Sequence, residues 1–212
     1  MKTDELKTFF SGRPTADITK AILGKRLSYQ SPQGLLSGII VEAEAYLGQE
    51  DSTAHAFNGR RTPANEALYG EPGTIYIYTL RGQYMFDVAV QEKDNPQGIL
   101  VRGLEPVDGI DLMTENRQGK TGSDISNGPG KLMQALGIQS KALNLTMVNA
   151  GPLSIDLEHG RQPKEIVTSA RVGVSKRGDW TEAPYRFYVA GNPYVSGMRK
   201  RDMDLDSHGW LN

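Results

Sequence analysis

The sequence predicts an α+β fold: a single mixed domain around a curved, largely antiparallel sheet, with a protruding β-hairpin and flanking helices. Strand-like runs outnumber helical runs, and several neighbouring strand-like runs are joined by turns too short for a helical crossover, which makes them antiparallel. The 212 residues contain no internal repeat and no low-complexity linker, so we assign residues 1–212 to one domain. We expect its two ends, residues 1–14 and 200–212, to be flexible.

Three segments have the apolar spacing of a helix. Residues 15–25 carry apolar side chains three or four positions apart, and the pattern ends near Gly24. Helical character returns at residues 109–117 and 131–136. The strand-like runs are residues 38–47, 74–80, 84–90, 99–104, 167–175 and 185–190.

Two of the strand-like runs flank Arg81-Gly82-Gln83 and predict a hairpin. A glycine at the first central position of the turn favours type II′. Tyr76 and Tyr78 project from the same face of the first strand. They are either half-buried packing residues or the aromatic flank of a hairpin whose cationic tip wedges into a duplex.

The composition excludes several classes of protein. The chain has no cysteine, which excludes a disulfide framework, thiolate-bound zinc, iron–sulfur ligation and a cysteine nucleophile. No apolar run approaches the roughly 18 residues of a membrane span, and the first residues lack the apolar core of a signal peptide. We therefore expect a cytoplasmic protein that makes no membrane contact.

The net charge of −1 hides an uneven distribution along the chain. Residues 161–201 carry nine basic and three acidic side chains, whereas the rest of the chain is acidic. A basic block of this size suits a polyanion such as nucleic acid, and it is equally compatible with an ordinary solvated surface.

The strand at residues 38–47 carries candidate acid–base groups. Side chains alternate along a strand, so Glu42, Glu44 and Tyr46 share one face. Two neighbouring carboxylates raise the pKa of one of them, which suits a general base, although a solvent-exposed polar face has the same pattern. The opposite face, which we expect to join the core, holds Ile39, Val41, Ala43, Ala45 and Leu47.

A metal site is a second interpretation of this region. Glu42, Glu44 and the nearby His55 offer carboxylate and imidazole ligands that suit zinc or manganese, as in a metal-dependent hydrolase. The sequence has neither HExxH nor a paired-histidine spacing, and a single histidine is also typical of a surface or capping position. We therefore expect no bound metal.

Two further motifs are typical of charge recognition. Arg102 lies within an apolar strand, and a buried guanidinium needs partners. We expect it to pair with Glu44, in a functional site or as a structural ion pair. Residues 127–131 lack the GxxxxGK[ST] pattern of a phosphate loop and instead predict a turn that opens a helix, whose N-terminus favours an anion.

A set of motifs in register resembles the alkyladenine (3-methyladenine, or N-methylpurine) DNA glycosylase family. Each motif alone occurs by chance, but together they follow the family's order with compatible spacings from about residue 20 to residue 196. The motifs are residues 42–48, His55, and residues 72–78, 101–106, 127–132, 171–174 and 186–189.

The resemblance implies a monofunctional base-excision enzyme that acts as a monomer on double-stranded DNA, without a cofactor. Such enzymes flip a damaged purine out of the duplex and hydrolyse its N-glycosidic bond with an activated water. Carried onto this chain, Glu44 is the general base, and Arg102 and the backbone carbonyl of Val172 hold the water. The lesions are 3-methyladenine and 7-methylguanine, with hypoxanthine and ethenoadenine as further candidates.

The resemblance also implies which residues bind the base and the DNA. Tyr46, His55 and Tyr78 sandwich the flipped base, and their aromatic faces favour a cationic alkylated purine over a normal base. The other substrate-binding candidates are Leu68 and Asp87. The DNA-binding candidates are Arg81, Gly82, Gln83 and Lys131. No lysine lies where it would form a Schiff base, so we expect no lyase activity.

Two positions depart from the family pattern. Arg81 stands at the hairpin tip, where a family member carries a tyrosine that fills the gap left by the flipped nucleotide. Asp87, or Val88 if the alignment has a one-residue gap, stands where the family often has an asparagine that clashes with the guanine amine. We hypothesise that an Asp87 carboxylate accepts a hydrogen bond from that amine and relaxes discrimination against 7-methylguanine.

The residues leave a non-enzymatic alternative, a protein that binds damaged DNA without cutting it. Arg81 and Asp87 favour this alternative because they depart from the family pattern. The presence of Glu44 together with Arg102 argues against it, since binding alone requires neither a base nor a residue that holds water.

Overall fold

In the computed structural model, which describes residues 3–176 and 178–211, the chain forms an α+β fold around one eight-stranded antiparallel sheet. The predicted fold class is therefore confirmed. Within the described ranges, the α-helices are α1 (Thr3–Phe10), α2 (Thr15–Ala21), α3 (Ile110–Asn116) and α4 (Pro129–Ala135). The strands are β1 (Lys25–Ser31), β2 (Gly34–Tyr46), β3 (Ile75–Leu80), β4 (Gln83–Val90), β5 (Gln97–Asp108), β6 (Leu153–Gly160), β7 (Ile166–Ser169) and β8 (Arg186–Val189).

The long strand β2 occupies the centre of the sheet. The strand order is β3-β4-β5-β2-β1-β6, and β8 pairs with β2 and with β7. One edge of β2 pairs with β5, and the other edge pairs first with β1 and then, at residues 42–44, with β8. The segment that carries Glu42 and Glu44 therefore has a hydrogen-bonded strand on each side.

The core lies against the apolar face of β2, as the alternation predicts. Ile39, Val41, Ala43 and Ala45 are buried in one continuous hydrophobic cluster, and Leu47 packs against that cluster. The helices contribute large side chains with no solvent exposure, among them Phe10 from α1 and Ile18 from α2. Each fully buried side chain of this size contributes about 1.5–3 kcal/mol to stability.

The strand boundaries differ from the sequence prediction in several places. Strand β2 begins at Gly34 rather than at residue 38, and β5 spans Gln97–Asp108 rather than residues 99–104. The predicted strand at residues 167–175 is wrong beyond Ser169, because the chain leaves the sheet there and turns inward at Arg171, whose side chain is buried. Strands β1 and β6 were not predicted. Their apolar positions alternate with polar residues such as Arg26 and Asp156, which is the pattern of half-buried strands and could have been found in the sequence.

The β3–β4 hairpin closes through a type I′ turn, and the predicted type II′ turn is wrong. Leu80 pairs with Gln83, so the central residues of the turn are Arg81 and Gly82. Their φ angles are 51° and 77°, and positive φ at both central positions defines type I′. The prediction failed because it placed Gly82 first rather than second in the turn.

The two chain ends are described in part. Residues 1, 2 and 212 belong to the ends that we expect to be flexible and lie outside the described residues. Leu6, Phe10 and Trp210, which belong to the same ends, are buried. Among residues 3–176 and 178–211, no helix combines the length and apolar character needed to cross a membrane.

Candidate active site

A cavity of about 310 Å³ opens between the C-terminal end of β2, the β3–β4 hairpin and the loop that follows β7. Its volume lies at the lower end of the range for small-molecule pockets, about 300–1,000 Å³, and suits one flat ring system. The structure brings most of the predicted site residues to this cavity. Those that line it are Tyr46, His55, Leu68, Tyr78, Asp87, Arg102 and Val172.

Strand pairing builds the floor of the cavity. Tyr76 on β3 lies opposite Asp87 on β4, Asp87 lies opposite Leu100 on β5, and Leu100 lies opposite Glu44 on β2. Directly paired residues of antiparallel strands project from the same face of a sheet. The four side chains therefore form one row, with Glu44 at its inner end.

Arg102 reaches this face because the pairing of β2 with β5 shifts beside Glu42. Gly103 pairs with Glu42 and Val101 pairs with Ala43, so Arg102 has no partner residue on β2. A bulge of this kind re-aims a side chain. Here it places the Arg102 guanidinium between two carboxylates, with only 6% of its side chain exposed.

Glu42 is held by two arginines and a serine. The Nε atoms of Arg102 and Arg186 donate to its Oε1 at 2.8 and 2.7 Å. Ser196 donates its backbone N–H to Oε2 at 2.7 Å and its hydroxyl to Oε1 at 2.8 Å. Burial raises the pKa of Glu42, but the two guanidinium charges and these hydrogen bonds outweigh burial and hold the pKa below its ordinary value. Glu42 is therefore an ionised anchor for both arginines.

Glu44 lies two residues after Glu42 on the same face of β2, and its pKa shifts in the opposite direction. The backbone N–H of Val172 donates to Glu44 Oε1 at 2.7 Å, and the Tyr46 hydroxyl donates to Oε2 at 2.9 Å. Arg102 Nη1 lies 3.3 Å from Oε1. Burial nevertheless raises the pKa of Glu44 above its ordinary value, and the Glu42 charge adds to that rise. A buried carboxyl with a raised pKa suits a group that takes up a proton.

Both glutamates have no solvent exposure, so the alternative of an exposed polar face is wrong. The expected contact between Arg102 and Glu44 is present, but the shorter contact, which is also a hydrogen bond, is the one with Glu42. Arg102 Nη1 also donates to the carbonyl of Val172 at 3.5 Å. Glu44, Arg102 and Val172, which come from three distant parts of the sequence, thus meet at one end of the cavity.

Aromatic side chains form one wall of the cavity. The rings of Tyr76 and Tyr78 stack with centroids 5.0 Å apart, and the His55 ring meets Tyr78 edge-on at 4.6 Å. His55 Nδ1 lies 2.9 Å from the Tyr76 hydroxyl. Burial, aided by the charge of Arg60, lowers the pKa of His55, so its imidazole is neutral at neutral pH.

The structure decides between Asp87 and Val88. Asp87 lines the cavity, whereas Val88 belongs to the hydrophobic core. Burial raises the pKa of Asp87 well above its usual range, and the nearby Glu44 charge adds to the rise. The Asp87 Oδ1 atom is buried without a hydrogen-bond partner among the described residues. Burial therefore disfavours the charged form of Asp87, and one oxygen of its carboxyl lies buried and unpartnered beside the cavity.

Gly98 on β5 makes room for Asp87 and Leu68. A Cβ atom at Gly98 would lie 2.4 Å from Asp87 Oδ1 and 2.9 Å from the Cδ2 atom of Leu68. Both distances are shorter than real contacts, so any larger residue here would displace two side chains of the cavity.

The predicted DNA-binding residues are in two places. Arg81, Gly82 and Gln83 are exposed at the hairpin tip, next to Leu80, which is 47% exposed at the cavity mouth. Lys131 lies on α4, and its Nζ donates to Asn127 at 2.7 Å and to Asp124 at 3.4 Å. The predicted helix-opening turn at residues 127–131 is confirmed, since α4 begins at Pro129.

Only some of the basic side chains in residues 161–201 lie on the protein surface. Arg171 and Arg186 point inward and pair with Asp51 and Glu42. Arg161 pairs with the mostly buried Glu105 at 2.6 Å. The count of basic residues in the sequence therefore overstates the positive charge that this segment offers to a polyanion.

The metal-site interpretation finds no support in the geometry. Glu42 and Glu44 face arginines, and His55 faces Tyr76. Within the part of the chain that the structure describes, no three His, Asp or Glu side chains are grouped so that they could hold a metal ion.

Sequence reasoning missed several residues of the site. Tyr76 lies two positions before Tyr78 on the same face of β3 and could have been assigned to the cavity wall from that spacing. Arg186 and Ser196, which hold Glu42, left no local signal, because only the folded chain brings them to β2. Asp51 lies in a polar stretch that resembles an ordinary loop.

The fold and the site together define an α+β protein with an aromatic-walled cavity beside two buried glutamates. The sequence profile described as methylpurine-DNA glycosylase matches residues 8–193. The chain belongs to the methylpurine-DNA glycosylase family.

Similar proteins extend over nearly the same length. A protein of Latilactobacillus sakei named "Putative 3-methyladenine DNA glycosylase" is 52% identical over 203 residues, which are 96% of this chain and 95% of that protein. A protein of the same name from Lactobacillus delbrueckii subsp. bulgaricus is 50% identical and covers 98% of this chain and 100% of its own length. A third protein of that name, from Enterococcus faecalis, is 41% identical, and the match covers 97% of this chain and 90% of that protein.

Replacing Glu42 by glutamine tests its anchoring role. The substitution leaves the guanidinium groups of Arg102 and Arg186 buried without their main counter-charge. We expect the free energy of unfolding to fall by about 3–5 kcal/mol, the range for a broken buried ion pair. Urea unfolding at pH 7, followed by circular dichroism, measures this change.

The matched control is Glu66→Gln, which breaks the exposed ion pair between Glu66 and Arg61. Solvent screens that pair, so we expect only a small change. A Glu42→Gln variant as stable as the control variant would show that Glu42 does not anchor the two arginines.

Proposed function

We propose that the protein is a monofunctional DNA glycosylase that removes alkylated purines from duplex DNA by hydrolysing the N-glycosidic bond. The observation that carries the proposal is the position of Glu44, buried behind an aromatic cavity with its pKa raised by burial. Family membership and the names of the relatives support the substrate class. The favoured lesions are 3-methyladenine and 7-methylguanine.

The proposed reaction consumes one water. The water is bound beside Glu44 by Arg102 Nη1 and the carbonyl oxygen of Val172, two polar atoms 3.5 Å apart that both face it. Its oxygen bonds to the anomeric carbon, the bond from that carbon to the base nitrogen breaks, and Glu44 takes up a proton. The products are the free base and an abasic deoxyribose. The Glu44 carboxylate also stabilises positive charge that develops on the sugar.

The depth of the site supports base flipping as part of the proposed reaction. Glu44 has no solvent exposure, and the cavity in front of it has room for about one base, so a base stacked in a duplex is unable to reach it. Unstacking and unpairing cost a few kcal/mol, and less at a lesion that already pairs poorly, which favours damaged bases.

The cavity wall suits a cationic base. Tyr46 and Tyr78 present aromatic faces that attract a cation, and His55 is neutral and does not repel it. Alkylation at N3 or N7 makes a purine cationic and a better leaving group. This combination explains how the enzyme would act on alkylated purines without a strong general acid.

The hairpin tip is proposed to meet the DNA. Arg81, Gly82 and Gln83 project beside the cavity mouth, and Arg81 is positioned to contact phosphate or stack on a base. Leu80 adds an exposed apolar side chain at the same place. Lys131 lies on α4, whose Gly130 packs against Gln83.

The proposed reaction has no covalent intermediate between enzyme and DNA and uses no metal. Among the described residues that line the cavity there is no lysine, which favours simple hydrolysis over Schiff-base chemistry. Excision is expected to survive excess chelator and to leave abasic sites that are cut only by later alkali treatment. We also propose that the enzyme acts as a monomer.

Replacing Glu44 by glutamine tests the general base. The amide keeps the size of the side chain but accepts no proton, so we expect the single-turnover excision rate to fall by about 10²–10⁴-fold. Binding to lesion-containing duplex is expected to remain. Alkaline cleavage of abasic sites and gel-shift assays measure the two quantities.

The exposed variant Glu66→Gln serves as the control and is expected to excise at the wild-type rate. A Glu44→Gln variant with wild-type activity would rule out Glu44 as the base. A wild-type protein that binds lesion DNA but releases no base would instead establish the non-catalytic alternative.

Asp87→Asn tests the lesion preference. A neutral Asp87 carboxyl both accepts and donates a hydrogen bond, and its proton is free to move between the two oxygens. As a protonated group it offers an acceptor oxygen to the amine of 7-methylguanine, whereas an amide can present its donor there instead. We expect the ratio of excision rates, 7-methylguanine to 3-methyladenine, to fall about tenfold, the scale of one hydrogen bond.

Met85→Leu is the matched control, because Met85 lines the same cavity from the same strand and the exchange conserves volume. We expect its ratio to stay at the wild-type value. An unchanged ratio for Asp87→Asn would refute the proposed contact with the guanine amine.

Arg81→Ala tests the DNA contact of the hairpin. Losing one phosphate contact lowers affinity for all duplexes and reduces the slope of log affinity against log salt concentration by about 1. Fluorescence anisotropy at several salt concentrations measures the slope. The control is Lys25→Ala on β1, on the far side of the sheet, and an Arg81→Ala slope equal to that of the control would exclude a phosphate contact.

A further inference from the structure

A second buried ion pair lies next to the candidate active site, formed by Arg171 and Asp51. Neither side chain has any solvent exposure. Arg171 Nη2 donates to Asp51 Oδ1 at 3.0 Å, and Nη1 donates to Oδ2. The pair is therefore bidentate, the geometry in which guanidinium and carboxylate bind most strongly and with most directional control.

The arginine also holds the end of β2. Arg171 Nη1 donates to the carbonyl of Ala45 at 2.9 Å, and Nη2 donates to the carbonyl of Trp180 at 3.0 Å. Its guanidinium lies over the ring of Tyr46, 4.7 Å from the centroid, and near that of Tyr185 at 5.5 Å. Arg171 thus touches the two residues that directly follow Glu44.

The aspartate shapes the loop that leads to His55. Asp51 Oδ2 accepts the backbone N–H of Leu47 at 3.2 Å. Oδ1 accepts the N–H of Thr53 at 3.0 Å and its hydroxyl at 2.7 Å. The loop between β2 and the aromatic wall of the cavity is therefore fixed to the same ion pair.

The residue after Arg171 is Val172, which contacts the reacting groups. Its N–H donates to Glu44 at 2.7 Å, and its carbonyl lies 3.5 Å from Arg102 Nη1. Only two bonds separate the Cα atom of Arg171 from this N–H. The anchored side chain of Arg171 therefore restrains the backbone segment that carries the donor facing Glu44.

A structural role alone explains the ion pair poorly. Removing two charges from water is costly, and well-packed apolar residues of similar volume are often as stabilising as a buried ion pair. A bidentate ion pair supplies what apolar packing does not, a fixed distance and direction among three segments.

We propose that the ion pair of Arg171 and Asp51 is a positioning device, which holds Val172 and Tyr46 against Glu44 and fixes the His55 loop to the same point. This proposal rests on the proposed glycosylase function. Arg171 and Asp51 touch neither the base nor the water, so they act through Val172 and Tyr46.

The proposal makes a specific claim about pH. Withdrawing the Val172 N–H removes one interaction that lowers the pKa of Glu44, so that pKa rises further. Excision requires the ionised form, so the acid limb of the rate profile moves to higher pH. Tyr46 is held by the same ion pair, and weakening its hydrogen bond to Glu44 raises that pKa in the same direction. The other charged or titratable groups that face Glu44 stay in place; they are Glu42, Tyr78, Asp87, Arg102 and the cross-strand neighbour Arg186.

The test uses two variants. Arg171→Lys keeps the positive charge but loses the two parallel N–H donors of the guanidinium, and Asp51→Asn keeps the shape of the side chain but loses its negative charge. We expect the single-turnover excision rate at neutral pH to fall on the order of 100-fold, the scale of a 1 Å misplacement of a reacting group. The acid limb is expected to move up by about one pH unit, as the loss of a hydrogen bond to a charged group implies. Affinity for lesion-containing duplex is expected to change less than threefold.

The matched control is Arg161→Lys, which alters the ion pair between Arg161 and Glu105. The partners of Glu105 are Arg161, Asn192, His208 and Trp210, and none of them lines the cavity. We expect this variant to keep the wild-type rate and acid limb. If Arg171→Lys does not fold, the isosteric Asp51→Asn carries the test.

Hydrogen–deuterium exchange provides a readout that does not depend on activity. We expect faster exchange at residues 45–55 and 170–176 in Arg171→Lys and Asp51→Asn, and unchanged exchange there in Arg161→Lys. A wild-type protein without excision activity would overturn the proposed function, and the exchange data would then decide whether the ion pair positions the loops. An acid limb at the wild-type pH, or exchange equal to that of the control, would overturn the positioning role.

Discussion

The structure depends on the burial of two glutamates side by side on a central strand. Glu42 and Glu44 have no contact with solvent, and two adjacent carboxylates in an apolar sheet are unstable unless cations and hydrogen-bond donors surround them. Arg102 enters through a bulge in β5, and Arg186 enters from β8. The strand on each side of β2 therefore contributes one arginine to this cluster.

The hydrogen-bond donors and positive charges are divided unequally between Glu42 and Glu44, and as a result the pKa values of the two carboxyl groups shift in opposite directions. Glu42 has two arginines and both donors of Ser196, so its pKa lies below the ordinary value. Glu44 has a share of Arg102, one backbone N–H and one phenol, and burial raises its pKa. The same strand thus carries one fixed anion and one exchangeable proton site, because their surroundings differ and not because their side chains differ.

The cavity in front of Glu44 is lined by titratable side chains whose neutral forms are favoured by burial. His55 is neutral because burial lowers its pKa, and burial also favours the neutral form of Asp87. The aromatic rings supply attraction for a cation without a formal charge. Such a wall favours a base that brings its own positive charge, and the inward-facing Arg171 adds rigidity to that wall from behind Tyr46.

Local patterns in the sequence were enough to predict the antiparallel α+β fold, the core face of β2 and the hairpin, because these depend on residue spacing within a strand or turn. The family resemblance came instead from several motifs in register along the chain. The partners of the buried charges were not predictable. Arg102 lies 60 positions from Glu42, Arg186 lies 144 positions from it, and Arg171 lies 120 positions from Asp51. Only the tertiary structure decided that Asp87 rather than Val88 lines the cavity and that Glu42 rather than Glu44 accepts the hydrogen bond from Arg102 Nε. Both decisions depend on strand register and on a bulge, and these are set by packing across the sheet rather than by neighbouring residues in the chain.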